Sequence, residues 1–369
     1  MTQKQGHTQQ SPPVSNYDRA IARAVEWLGD RYLLAKPINA HTLPRRISVN
    51  RLRAAVRTHM TQAIPFGFRS TADQVLAGID LTRRQIVVTE CSSEVGFATM
   101  QALSANGAHV IGITRSLDDA QAACSAAGRS LTPLGCNPSD RASVDAAVQS
   151  VRGLGPLDAV VINCLELRHF ADHIAQFVLV NRLSELVRGG TGRVAIGSND
   201  NANNAGHRVE DTIFDNLSGG RLYDSRAFDG QAELTTALFA KELSRRLSAR
   251  GVAVNSFLCG ASGNRTSRAQ RLIESIARHF TRSPAQRAAT PALLAASPLV
   301  AGMTGEYWSN CQVSLGNPLR LDIGLAKRLW EASARIADMA FGGGALSEAA
   351  SFGRDSSIPS RMPAPLHHA

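Results

Sequence analysis

QIVVTECSSEVG, residues 85–96, is the stretch on which the fold turns. Its first half is apolar and β-branched, and a short Ser-rich loop follows. From Val95 to Ala105 the apolar spacing becomes helical. An apolar strand running through a tight loop into a helix is the opening of a βαβ unit. Working outward toward the C-terminus, the same alternation returns. Further strand candidates are AHVIGIT (108–114), DAVVIN (158–163), GRVAIG (192–197) and VAVNSFL (252–258). Helical runs lie between them at Leu117–Ala127, Arg141–Val151, His169–Val187 and Gln231–Ala249. Near-continuous apolar strands joined by helices predict a parallel sheet buried on both faces. Right-handed crossovers then place helices on both sides, and ligands bind at the carboxyl ends of the strands, near the switch point. The fold class expected is therefore α/β, doubly wound.

Outward in the other direction, residues 1–16 are polar and read as a disordered tail. Residues 17–70 read as a basic helical extension, with helix candidates at Tyr17–Leu34 and Arg46–Thr61. Ser70 or Thr71 is placed to cap the helix ADQVLAG, which Gly78 ends. The α/β domain is expected over 71–341. It includes a late strand candidate at Gly305–Ser309 and a helix from Leu325 to about Ala340. Residues 342–369, rich in Gly, Ser, Pro and Ala, read as a flexible tail.

Composition narrows the classes. A chain of 369 residues with 44% hydrophobic content can bury a large core. No run approaches the roughly 18–20 apolar residues of a membrane span, and the polar start does not resemble a secretory signal. A cytoplasmic protein is expected. The net charge of +10 is concentrated: residues 1–70 carry eleven Lys or Arg against three Asp or Glu. That excess suits an acidic partner, and equally a solvated helical face. The six cysteines form no CxxC pair, so buried, reduced thiols are expected, with no disulfide framework and no metal site.

The order of motifs carries a resemblance. TECSSEVG, from Thr89 to Gly96, resembles the short-chain dehydrogenase/reductase phosphate loop T-G-x-S-S-G-I-G. HVIGITRS resembles that family's second strand, PLGCNPSDRASV its third strand and acidic cap, and LDAVVINC its fourth strand with the Asn-Ala-Gly motif. FADHIAQF, DGQAELTTALFAKELSRRL and VAVNSFLCG resemble its later helices and strand. The C-terminal part looks like the retinol-dehydrogenase-like branch, and the resemblance runs from about Thr71 to Ile336. It implies a Rossmann-type sheet and a site for NAD(H) or NADP(H) at positions Glu90, Ser92, Glu94, Gly96, Arg115, Asn137 and Asn163.

The chemistry at those positions has changed. Glu90 and Glu94 stand where the family has its first two loop glycines, and only Gly96 remains. Glycine there permits the tight turn and the approach of backbone to pyrophosphate at a helix N-terminus. A carboxylate about 4 Å from a phosphate charge costs roughly 4 kcal/mol at an effective dielectric of 20. A micromolar cofactor has only about 8 kcal/mol in all. Arg115 falls where NADP-preferring members contact the 2′-phosphate, and Asn137 where the family has an adenine-contacting Asp. Both also suit a surface Arg and a turn residue.

The positions of the catalytic Tyr and Lys are Asp229 and Glu233. The supporting Asn corresponds to Asp172, the Gly of Asn-Ala-Gly to Leu165, and the catalytic Ser to Ser198 or Asn199. The nearest Tyr is Tyr223, six residues before Asp229. A Tyr–Lys pair one helical turn apart supplies proton transfer and electrostatics worth orders of magnitude in rate.

Three readings follow. The first is a noncatalytic subunit or scaffold, with no cofactor expected. It would be a homo-oligomer or pair with an active homologue through the helices at His169–Val187 and Gln231–Ala249, as family members commonly do. The second is a divergent NADP(H)-dependent oxidoreductase acting on a lipophilic alcohol or carbonyl. The third is an acid–base catalyst without hydride transfer, using Asp172, His173, Asp229 and Glu233. Glu233 has a candidate partner in Arg226, and His173 equally suits a packed structural role.

Overall fold

The computed structural model describes residues 64–128, 130–163, 170–198, 225–259, 282–314 and 318–341, without the side chains of 170–171, 225–232, 318–319 and 341. The N-terminal helix candidates, both tails, most of the polar 197–228 stretch, Leu165, Asn199 and the Asp229 side chain lie outside this description.

Helix α1 (Ala72–Leu76) is capped by Thr71, with Gln74 closing a reciprocal capping box. The alternation expected from sequence then follows: β1 (Gln85–Thr89), α2 (Glu94–Ala105), β2 (His109–Thr114), α3 (Leu117–Ala127), β3 (Leu131–Gly135), α4 (Arg141–Leu154) and β4 (Ala159–Ile162). The second half comprises α5 (Phe170–Ser184), β5 (Arg193–Ser198), α6 (Ser225–Leu247), β6 (Ala253–Leu258), α7 (Pro284–Arg287), α8 (Ala289–Ala296), β7 (Tyr307–Ser309), β8 (Gln312–Val313) and α9 (Ile323–Phe341).

The strands form one sheet in the order β3-β2-β1-β4-β5-β6-β7-β8. All neighbours pair in parallel except β7 and β8, the antiparallel edge. Strand order reverses between β1 and β4, so the switch point lies at their carboxyl ends, where Glu90 and Asn163 sit.

Each sheet face carries its own core. On one side Val87, Ile111, Val160 and Ile196 pack against α4, α5, α6 and α9. On the other, Ile86, Val88, Val110 and Val161 pack against α1, α2, α3 and α8. Burial of β1, β2, β4 and β5 on both faces is why these strands read as continuous apolar runs. Residues before Thr71 join the second core: Ile64 and Phe66 pack against it, and Gln312 Nε2 donates to both their carbonyls.

Helix α9 lies over α5 and α6. Its Trp330 ring centroid is 4.9 Å from that of Phe177 on α5 and 5.7 Å from that of Phe239 on α6. Leu325, Leu329 and Ile336 are buried with it. These are the two helices through which pairing is expected from the family resemblance. Helix α9 covers part of that face. No described helix is long and apolar enough to cross a membrane.

Candidate active site

The switch-point loop runs from the end of β1 into the N-terminus of α2, with Glu90 and Glu94 at the glycine positions of the family pattern. Cys91 N–H donates to Ile113 O at 3.2 Å and Ser93 N–H to Glu90 O at 2.9 Å. Ser93 caps α2 through Gly96 N–H at 3.1 Å. Glu90, at the first glycine position, has φ +49°. The left-handed turn that glycine serves is therefore retained with a side chain that disfavours it. Gly96 is still required. A Cβ there would collide with the Glu90 carbonyl oxygen and lie 2.8 Å from its carbon.

Glu94 is the first residue of α2, and its carboxylate is ion-paired with Arg287 of α7. An acid in the first turn also meets the positive end of the helix dipole. Glu94 thus remains an acid at the N-terminal end of α2, 69% exposed and paired with an arginine about 190 residues away in sequence. Ser92 is exposed, its Oγ 3.5 Å from Thr114 Oγ1. Arg115 is exposed directly after β2.

Asn137 serves a turn. Its Oδ1 accepts from Ser139 N–H at 3.2 Å and its own N–H donates to Ser143 Oγ at 2.9 Å. Asn163 is buried after β4. Its N–H donates to Thr89 Oγ1 and its Nδ2 to Thr89 O, each at 3.1 Å, tying the two strands at the switch point. Its Oδ1 has no hydrogen-bond partner.

The catalytic positions are scattered in role. Ser198 ends β5 fully buried, with its hydroxyl donating to Phe257 O at 3.3 Å. Asp172 is half-buried in the first turn of α5. Glu233 pairs with Arg320, which stands between β8 and α9; the side chain of Arg226, its candidate partner from sequence, lies outside the described residues. His173 packs in the core. It is buried, with Nε2 3.0 Å from Ser333 Oγ on α9 and its ring edge-on to Phe239. Burial pushes its pKa down to about 3. Among the described residues no three His, Cys, Asp or Glu gather as a metal site.

Sequence reasoning missed Arg287 and Arg320, because their partners are distant in the chain and no local motif marks them. It also missed a bond. Cys91, Cys124, Cys136 and Cys311 are buried free thiols as expected, but Cys259 is disulfide-bonded, to a partner outside the described residues. Cys259 directly follows β6, and its N–H donates to Ser198 O at 2.9 Å, so this covalent link sits at the carboxyl edge of the sheet.

Comparison with known proteins agrees with this architecture. Residues 84–170 match the short chain dehydrogenase family model. The WW domain-containing oxidoreductase of Homo sapiens is 30% identical over 305 residues, covering 72% of this chain and 71% of that protein. The chloroplastic short-chain dehydrogenase TIC 32 B of Brassica napus is 25% identical over 302 residues, covering 74% and 94%. The crystal structure of a putative uncharacterized protein from Mycobacterium Paratuberculosis superposes with a TM-score of 0.50 at 20% identity, covering 72% of this chain and 97% of that one. With the sheet order, the switch-point loop and this likeness in sequence taken together, the chain belongs to the short-chain dehydrogenase/reductase family.

Proposed function

We propose that this chain uses the dehydrogenase fold as a noncatalytic scaffold or subunit. The observation that carries the reading is the Glu233–Arg320 pair. The position at which the family holds a lysine against the cofactor is a carboxylate already committed to an internal arginine. The loop argues the same way. Glu90 puts a side chain where a diphosphate needs bare backbone, and Glu94 adds a negative charge in the first turn of α2, where the diphosphate would lie. A nicotinamide cofactor supplies hydride transfer when bound in this family, but the residues here do not fit its diphosphate.

Residues 17–70 are assigned on charge as an added interaction module for an acidic partner, except that Ile64 and Phe66 at its end pack with the domain core. A homologous partner chain would meet the face partly covered by α9, so its contacts extend beyond α5 and α6.

A second reading, a divergent NADP(H)-dependent oxidoreductase acting on a lipophilic alcohol or carbonyl, draws support from two features. These are the intact Thr89–Asn163 tie at the switch point and the exposed Arg115 after β2. The acid–base alternative loses His173 to the core and Glu233 to its ion pair.

The test is turnover. Purified protein supplied with NADP(H) or NAD(H) and a panel of lipophilic alcohols and aldehydes is expected to leave the nicotinamide absorbance unchanged. Saturable turnover that Asp172→Asn or Asp229→Asn abolishes would replace the scaffold reading with the oxidoreductase one.

A further inference from the structure

Three sulfur atoms converge on one point beside the sheet. The position that a Cβ would take on Gly112 of β2 lies 2.9 Å from Cys124 Sγ on α3, 3.0 Å from Met100 Sδ on α2 and 3.1 Å from Cys91 Sγ in the loop after β1. Cys124 Sγ and Met100 Sδ are 3.9 Å apart, and the Cys91 and Cys124 thiols interact directly. Both thiols are free. Gly112 stands in mid-strand, paired with Val88 on one side and Pro133 on the other. A glycine there weakens a sheet and marks the close approach of another group. Its backbone is not left-handed, so space is what this glycine supplies.

Sulfurs 3.9 Å apart in a trigonal set share a centre about 2.3 Å from each, the length of a metal–thiolate bond. Two thiols and a thioether are soft ligands, and that set suits a cuprous ion. Zinc asks for four ligands in a closed site. Among the described residues no group of three Cys, His, Asp or Glu includes the two thiols. The surroundings are dry, with Cys91 and Met100 at 0% exposure and Cys124 at 5%. The cover is thin, because Ser92 next to Cys91 and Ser125 next to Cys124 are exposed, which gives an ion a short way in.

We infer that Cys91, Met100 and Cys124 bind one cuprous ion, which ties the loop after β1 to α2 and α3. The site does not depend on the scaffold reading, since Glu90, Glu94 and Glu233 are not its ligands. The ion arrives already reduced, and the thiol protons it displaces pass to solvent. The test uses the full chain under argon, without reductant so that the Cys259 link stays closed, titrated against the Cu(I)–bicinchoninate complex. The protein is expected to withdraw one equivalent of copper from the chelator. X-ray absorption at the copper edge should then show three sulfurs at about 2.3 Å. Cys91→Ala and Cys124→Ala should each abolish withdrawal. Met100→Leu, which keeps the volume, should weaken it at least about tenfold, as the loss of even an outer-shell partner does. Cys136→Ala should bind copper as the parent does. No withdrawal by the parent chain overturns the inference, as does withdrawal undiminished in a folded Cys91→Ala or Cys124→Ala variant. A copper shell that contains nitrogen, or fewer than three sulfurs, also overturns it. Should the cysteine variants not fold, that shell, measured on the unaltered chain, decides by itself.

Discussion

Arg320 and Glu233 form an ion pair between the segment preceding α9 and the middle of α6, with side chains only 10% and 23% exposed. The pair couples the C-terminal segment to the position where the family carries its lysine. Burial holds the Arg320 pKa down to about 10, still charged at neutral pH, so the guanidinium needs its counter-ion. Removing one partner of such a pair leaves the other charge buried and uncompensated. Glu233→Gln should therefore cost about 2–4 kcal/mol in urea denaturation. Glu233→Lys, which restores the family residue, should cost more, because it sets a second cation beside Arg320. Parent-like stability in Glu233→Lys would mean that the pair carries no weight.

Glu90 holds φ +49°, a conformation that costs a non-glycine residue about 1 kcal/mol or more. Glu90→Gly should accordingly raise stability by roughly 1 kcal/mol, less whatever the more flexible unfolded chain gives back. A clear loss of stability would show that the Glu90 side chain has a compensating structural role.

The His173 pKa is pushed from 6.5 to about 3 by burial. The unfolded chain takes up this proton below about pH 6.5, while the folded chain stays neutral until about pH 3. In that window the unfolded state binds more protons, so stability present above pH 6.5 is lost progressively as the pH falls. The slope from this one group approaches about 1.4 kcal/mol per pH unit. His173→Gln should flatten the stability profile between pH 6.5 and 4 by most of that slope, whatever it does to stability at neutral pH. An unchanged slope would mean that His173 is not held neutral.

Cys259 is disulfide-bonded, while burial pushes the Cys91 and Cys136 thiols up to about 12. Non-reducing peptide mapping should find Cys259 in a linked peptide and Cys91 and Cys136 unmodified after native alkylation. Reduction should lower stability by about 2–4 kcal/mol. Recovery of Cys259 as a free thiol from protein never exposed to reductant would contradict the structure at the carboxyl edge of the sheet.

The fold was legible because its signals are local. Strands such as QIVVT and HVIGIT carry the apolar continuity of two-sided burial, and Thr71, Ser93 and Asp140 cap helices where their side chains allow. Motif order then supplied the family resemblance and the doubly wound class, while the strand order is read from the structure. The site was legible only as a set of positions. That Glu90 and Glu233 replace residues of the family pattern is visible in the chain. That Glu94 meets Arg287 and Glu233 meets Arg320 depends on packing across 193 and 87 residues of separation. Asn137 was readable either as a ligand contact or a turn, and its bonds to Ser139 and Ser143 favour the turn. The cysteines lack close spacing, so the Cys259 link left no mark in the sequence.

The central claim concerns the switch-point loop, where Glu90 and the Glu94–Arg287 pair stand at the end of α2. Thermal melts with millimolar NAD+, NADH, NADP+ and NADPH test it most directly. The account predicts melting temperatures indistinguishable from the ligand-free protein with all four. A saturable rise of about 3 °C or more with any of them would show a working dinucleotide site and contradict it.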